Sequence, residues 1–173
     1  MALPKLEVPI YELTVPSTDE KIKYRPFLIK EEKILLIAME SGANEDVIQA
    51  VKQIVSECTF NTLKLGNMPM FDVEYIFLQI RSKSVGEVSK LKILCRDDGE
   101  TYANVEVDLT EIEVQVNDDH TNKIELTDEM GVIMKYPTID SFSTAGISDI
   151  TADNMLDVIV ACIDKIYDKK GEE

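Results

Sequence analysis

The hydrophobic pattern of this chain changes period more than once along its length. Up to about residue 29 apolar and polar positions alternate, as in strands with one covered face. Leu6, Val8 and Ile10 share one side, and Leu13 and Val15 follow. Pro16, Ser17, Thr18, Asp19 and Glu20 form a turn cluster, and Ile22, Tyr24, Phe27 and Ile29 read as a returning strand interrupted by Pro26. Proline cannot donate to a ladder, so residues 1–29 are expected as an N-terminal β-hairpin arm at an edge.

Residues 30–87 carry helical spacing. A first helix is expected over 30–41, where Lys30-Glu-Glu-Lys33 leads into an apolar run and Gly42 stops it. Asn44 is the expected N-cap of a second, which places Val47, Ile48, Val51, Ile54, Val55 and Cys58 on one face. Residues 59–68 read as a loop turning at Gly66-Asn67. The third helix opens at Pro69, with Asp72 and Glu74 near its positive end. Val73, Ile76, Phe77 and Ile80 recur at helical spacing, and Phe71, Tyr75 and Leu78 cover much of the remainder. A helix apolar on nearly every side is expected to be buried on nearly every side. Arg81 and Lys83 suit its C-terminal dipole, and Gly86 ends it.

Period two returns over 88–137. Leu91, Ile93 and Cys95 alternate with Lys90, Lys92 and Leu94, and Ala103, Val105, Val107 and Leu109 with Asn104, Glu106 and Asp108. Ile112, Val114 and Val116 continue the pattern, as do Ile124 with Leu126 and then Val132, Met134 and Tyr136 before Pro137. Turns fall at 96–100 and 117–122. This predicts an antiparallel β-meander with one solvated face. Residues 138–150 read as a small-residue loop. Thr151, with Asp153 in the first turn, is expected to cap a last helix striped by Met155, Ile159, Ile163 and Ile166, flanked by Leu156, Val160 and Tyr167 and followed by a polar tail from Asp168. The expected class is α+β: an N-terminal β-hairpin arm, three helices, an antiparallel β-meander and a C-terminal helix within 138–173, in one compact domain.

With 173 residues, 45% of them hydrophobic, the chain can fill such a core. Its net charge of -15 argues against a phosphate-backbone partner, so no nucleic acid is expected. Three widely spaced cysteines are no disulfide framework and point to a reducing compartment. The N-terminus lacks the marks of a signal peptide, and the longest apolar run, Ile34 to Met39, is too short to span a bilayer, so no membrane partner is expected.

The sequence offers little catalytic chemistry. Its single histidine, His120, lies in a polar turn, and neither a phosphate-binding glycine loop nor a His-Glu-x-x-His motif is present. No catalytic residue, cofactor or enzymatic activity is expected. Cys95-Arg-Asp-Asp98-Gly99 has the shape of a metal knuckle, but the second cysteine such a knuckle needs is replaced by Asp98. A plain turn with a semi-buried thiol is expected, and no metal. Tyr24, Arg25, Pro26 and Phe27 have the composition of an interface hot spot. The same aromatics could equally pack the arm onto its own domain.

Three long segments carry a resemblance: LPKLEVPIYELTVPST from Leu3, KYRPFLIKEEK from Lys23 and FDVEYIFLQIRSKSVGE from Phe71. In this order they resemble the baseplate hub protein family of T-even-type contractile-tailed phages, over residue 3 to about 167. The resemblance implies a non-enzymatic role in hub and tail assembly, through binding other baseplate hub proteins or the tape-measure protein. The alternative is a permanent hub subunit of the virion; a hub-associated hydrolase is the third. The chain would work in the host cytoplasm during assembly, or in the tail baseplate. The arm residues Tyr24, Arg25 and Phe27 and the helix-exit residues Arg81 and Lys83 are the expected partner contacts. Family members often carry cysteine pairs in the hairpin after the central helix; Cys95 matches one such position, and Asp98 departs from it.

Overall fold

Helices and antiparallel strands alternate along the computed structural model, which describes residues 8–117, 119–144, 151, 154–168 and 171–172. Leu6, the 118 position of the second turn, loop residues 145–150, Asp153 and tail positions 169, 170 and 173 lie outside the described residues. The class is α+β, as the hydrophobic periods indicate. The chain gathers into two compact units: one holds the residues up to Leu63 with Glu74–Val114, and the other Lys64–Val73 with Gln115–Glu173.

In the first unit β1 (Tyr11–Thr14) and β2 (Lys21–Tyr24) form the expected hairpin, with Tyr11 opposite Tyr24 and Leu13 opposite Ile22. Asp19 takes the left-handed conformation (φ 56°) that closes its turn. Val15, Ile22 and Tyr24 are buried. Helix α1 (Ile29–Ser41) ends where Gly42 adopts φ 70°, and α2 (Asn44–Cys58) follows. Asn44 is not its N-cap. Ala43 holds that position in extended backbone, and Asn44 is the first helical residue. The expected face of α2 is the covered one, with Ile54, Val55 and Cys58 fully buried.

Helix α3 (Met70–Val85) begins one residue after Pro69, whose carbonyl accepts the amides of Asp72 and Val73. Proline therefore precedes the first turn rather than occupying it, and still leaves no donor unsatisfied. Val73, Ile76 and Ile80 are fully buried, and between Phe71 and Ser84 only Glu74 is exposed. Strand β3 (Val88–Leu94) then pairs along its whole length with β4 (Tyr102–Asp108). The strand expected over Ile112–Val116 does not form. The Asp108 carboxylate instead accepts the amide of Thr110 at 2.9 Å and winds Leu109–Glu111 into a 3-10 turn that buries Leu109. A local side-chain bond of this kind competes with the ladder.

The second unit holds a four-stranded antiparallel sheet in the order β5 (Lys123–Glu125), β6 (Met130–Met134), β7 (Ile163–Asp168), β8 (Gly171–Glu172). The β-region thus divides between separate sheets. Two further departures concern the C-terminal part. Helix α4 (Ile139–Thr144) occupies half of the expected loop, capped by reciprocal bonds between Thr138 and Ser141. Helix α5 (Met155–Ala161) stops short, and Ile163 and Ile166, read as its stripe, lie in β7. Asn154, rather than Thr151, stands at its N-cap, and its side chain accepts the Thr151 amide at 2.8 Å. Spacing of three fits a helix, but pairing with β6 decides otherwise by setting Ile166 against Val132 and Tyr167 against Gly131. The glycine is required there: a Cβ on Gly131 would lie 2.3 Å from Tyr167 Oη and 2.7 Å from the Ile124 carbonyl.

Candidate partner-binding surfaces

The expected partner contacts all lie in the first unit, and they divide by burial. Tyr24 is only 3% exposed and stacks at a tilt on Tyr11, ring centroids 5.6 Å apart. Burial, opposed by nearby Lys83, raises its phenol pKa. Arg25 turns inward: its Nη2 donates to Glu31 Oε1 at 2.8 Å, its Nη1 to the Pro26 carbonyl at 3.0 Å and its amide to the Cys58 carbonyl at 3.0 Å. Glu31 is fully buried and also accepts the Leu28 amide at 2.8 Å. Burial alone would push its pKa up, but the bonds from Arg25, the Leu28 amide and Lys30 outweigh it and hold it at about 2. Phe27 is half-buried, and its amide donates to Ser84 Oγ at 2.9 Å, tying the arm to α3.

At the exit of α3, Lys83 pairs with Glu87 one turn later and lies 5.8 Å from the centre of the Tyr11 ring. Arg81 is half-buried, with Nη1 enclosed and lacking a hydrogen-bond partner among the described residues. The structure thus gathers Tyr24 and Lys83 around Tyr11, and separately sets Arg25 on Glu31. Glu31 escaped the sequence reading because Leu28 replaces the Ser or Thr that signals a capping box.

A further exposed apolar surface lies on the β3–β4 ribbon. Its strands form a two-stranded sheet of their own. One face carries Leu91 and Ile93, 45% and 49% exposed, beside Ala103, Val105 and Val107; the other carries Lys90, Lys92, Asn104, Glu106 and Asp108 in its middle, with the exposed Val88, Leu94 and Tyr102 toward its ends. Alternation identified the apolar face, but it holds no information about what covers it. At the ribbon tip Asp98 accepts the amides of Glu100 and Thr101 at 3.1 and 3.0 Å, and the Thr101 hydroxyl as well. The residue standing in the knuckle's cysteine position thus ties its own turn, and these bonds lower its pKa.

The second unit contains an open cleft of about 830 Å³, lined in part by Pro69, His120, Ile124, Met134, Tyr136 and Cys162. Tyr136 makes two ring contacts there: His120 stacks at 5.8 Å and Phe71 meets it edge-on at 5.0 Å. His120 is exposed, as a turn residue should be. Among the described residues no group of three or more His, Cys, Asp or Glu is placed to hold a metal ion. No helix among them is long and apolar enough to cross a membrane.

The first unit thus combines an arm tied to α3 with a two-stranded ribbon that leaves Leu91 and Ile93 exposed. Over residues 8–173 the chain matches the family model described as T4 bacteriophage base plate protein, and it belongs to that family. No curated protein and no solved structure matches it. The chain is therefore a phage baseplate protein, and its family membership places it among proteins that work in contact with other baseplate components.

Proposed function

We propose that this protein is a non-enzymatic component of the baseplate central hub, acting in hub and tail assembly by binding other hub proteins or the tape-measure protein. The family match supports the baseplate role, and the three motif segments support the hub. The observation that carries the binding reading is the apolar face of the β3–β4 ribbon, half-exposed on a chain of net charge -15. Tyr24 and Arg25 would serve partners by fixing the arm, while Phe27, Arg81 and Lys83, each partly accessible, would touch them. The protein would meet these partners in the host cytoplasm.

Further exposed apolar residues favour the second reading, a permanent subunit of the virion. Leu36, Ile37 and Met39 on α1 and Leu156 and Val160 on α5 are more than half exposed. That is more apolar surface than a transient encounter needs. Mass spectrometry of purified tails separates the two. Stoichiometric presence supports the subunit; absence from tails, with recovery in complexes from infected cells, supports the assembly factor. Pull-down of the tagged chain with and without the tape-measure protein identifies the direct partner. Peptidoglycan hydrolysis by the purified chain would overturn the non-enzymatic reading.

A further inference from the structure

Among the described residues the ribbon has two open edges, and they differ. Hydrogen bonds at the two ends of the ladder, Cys95 amide to Thr101 carbonyl and Leu109 amide to Glu87 carbonyl, both 2.8 Å, fix its alternation. Odd-numbered residues of both strands pair inward. The outward backbone groups therefore belong to Val88, Lys90, Lys92 and Leu94 on β3, and to Tyr102, Asn104, Glu106 and Asp108 on β4. Lysines along an open edge are a common guard against strand addition. The β4 edge carries no lysine; its outward positions are Tyr102, the polar Asn104 and the acidic Glu106 and Asp108, and its alternate positions Ala103, Val105 and Val107 supply an apolar rank.

We infer that the β4 edge of the ribbon receives an extended segment of a partner protein, in which apolar residues alternate with lysine or arginine, as an added antiparallel strand. The chemistry of that segment is written in β3, the strand that β4 already accepts on its other side. There Leu91 faces Val105, Ile93 faces Ala103, and Lys90 meets Glu106 at 3.0 Å. A third strand would complete the outward ladder, extend the apolar face and neutralise Glu106 and Asp108 on a chain of net charge -15. A second copy of this chain fits poorly. Antiparallel β4–β4 pairing gathers Glu106 and Asp108 of both copies on one face. Antiparallel stacking of β3 on a neighbour's β4 keeps both bodies at the same end and would space them about 10 Å apart, whereas a unit of this size is roughly 30 Å across. That the partner is another baseplate protein rests on the proposed function; the edge assignment does not.

The test uses the full isotope-labelled chain and two synthetic peptides, VSKLKIL, the sequence of β3, and its charge-reversed form VSELEIL. Millimolar VSKLKIL should shift the amide resonances of Tyr102, Asn104, Glu106 and Asp108, and VSELEIL should bind more weakly. Asn104→Pro removes one outward donor and leaves the ladder to β3 intact; it should lower affinity roughly tenfold while thermal unfolding stays cooperative. If that variant does not fold, Glu106→Lys, which reverses one edge charge, serves in its place and should also weaken binding of VSKLKIL. Absence of shifts with millimolar VSKLKIL, equal binding of the two peptides, or unaltered binding by the folded variant would overturn the assignment. So would self-association in sedimentation experiments accompanied by concentration-dependent shifts of these same amides. A chain that binds VSKLKIL but is absent from both tails and assembly complexes would refute the proposed function and leave the edge assignment standing.

Discussion

Two ion pairs in the same unit, of similar length, do opposite work. Arg25–Glu31, at 2.8 Å, has side chains 14% and 0% exposed; Lys90–Glu106, at 3.0 Å, has side chains 81% and 64% exposed. Around the first, water is excluded and each carboxylate oxygen has a protein donor. Around the second, solvent screens both charges. The lesson is that an ion pair's role follows from its surroundings more than from its distance: the first holds the arm against α1, and the second decorates an edge.

That comparison can be broken most sharply at Arg25. Arg25→Ala leaves a buried carboxylate without its main partner and should cost about 3–5 kcal/mol, read from the shift in denaturation midpoint. Lys90→Ala should cost about 0–1 kcal/mol in the same assay. If the two losses are equal, burial is not what distinguishes the pairs. Replacing Arg25 and Glu31 together with Met and Leu should restore much of what the single variant loses.

The same contrast predicts the acid response. Glu31 titrates at about 2 when folded, below its ordinary 4.5, so the unfolded chain takes up its proton first. Its contribution is complete above pH 4.5 and is lost as pH falls toward 2, amounting to about 3 kcal/mol. The pKa values of Glu57, Asp98 and Asp108 are also lowered and act in the same direction. Equilibrium unfolding between pH 6 and pH 2 should show a steep loss that Glu31→Gln flattens.

A smaller effect is expected in the other unit. Gly131→Ala drives a Cβ into the Tyr167 ring and the Ile124 carbonyl, and should cost about 1–3 kcal/mol as seen by calorimetry. The thiols sort by the same rule of burial. Cys58 is fully buried and desolvation raises its pKa to about 11, so alkylation at pH 8 should reach Cys95 first and Cys58 only on unfolding. The smallest effect belongs to Lys83→Ala: the Lys83–Glu87 pair is partly exposed, with side chains 28% and 52% accessible, and its loss should leave the melting temperature nearly unchanged.

Much of this fold was legible because burial imposes a period. The alternation of Leu13, Val15, Ile22 and Tyr24 located the hairpin, and the spacing of Val73, Ile76 and Ile80 located α3, because a strand or helix with a covered face must repeat at 2 or 3.6 residues. What failed was short or ambiguous. Ile163 and Ile166 satisfied a helical spacing yet joined β7, since a strand's fate is decided by the partner that pairs with it. The candidate site was less legible still. Tyr and Arg at 24 and 25 suit an interface or an interior equally well by composition, and only their contacts separate the two.

The sequence by itself determined the element types over most of the chain, its net acidity and its membership of the baseplate family, because these depend on local pattern, on total charge and on residue order. Tertiary structure decided which strands pair, that Glu31 rather than a surface residue receives Arg25, and that Leu91 and Ile93 stay in solvent. The physical reason is common to all three. Each depends on what lies across from a residue in space, and periodicity says which way a side chain faces without saying what it meets.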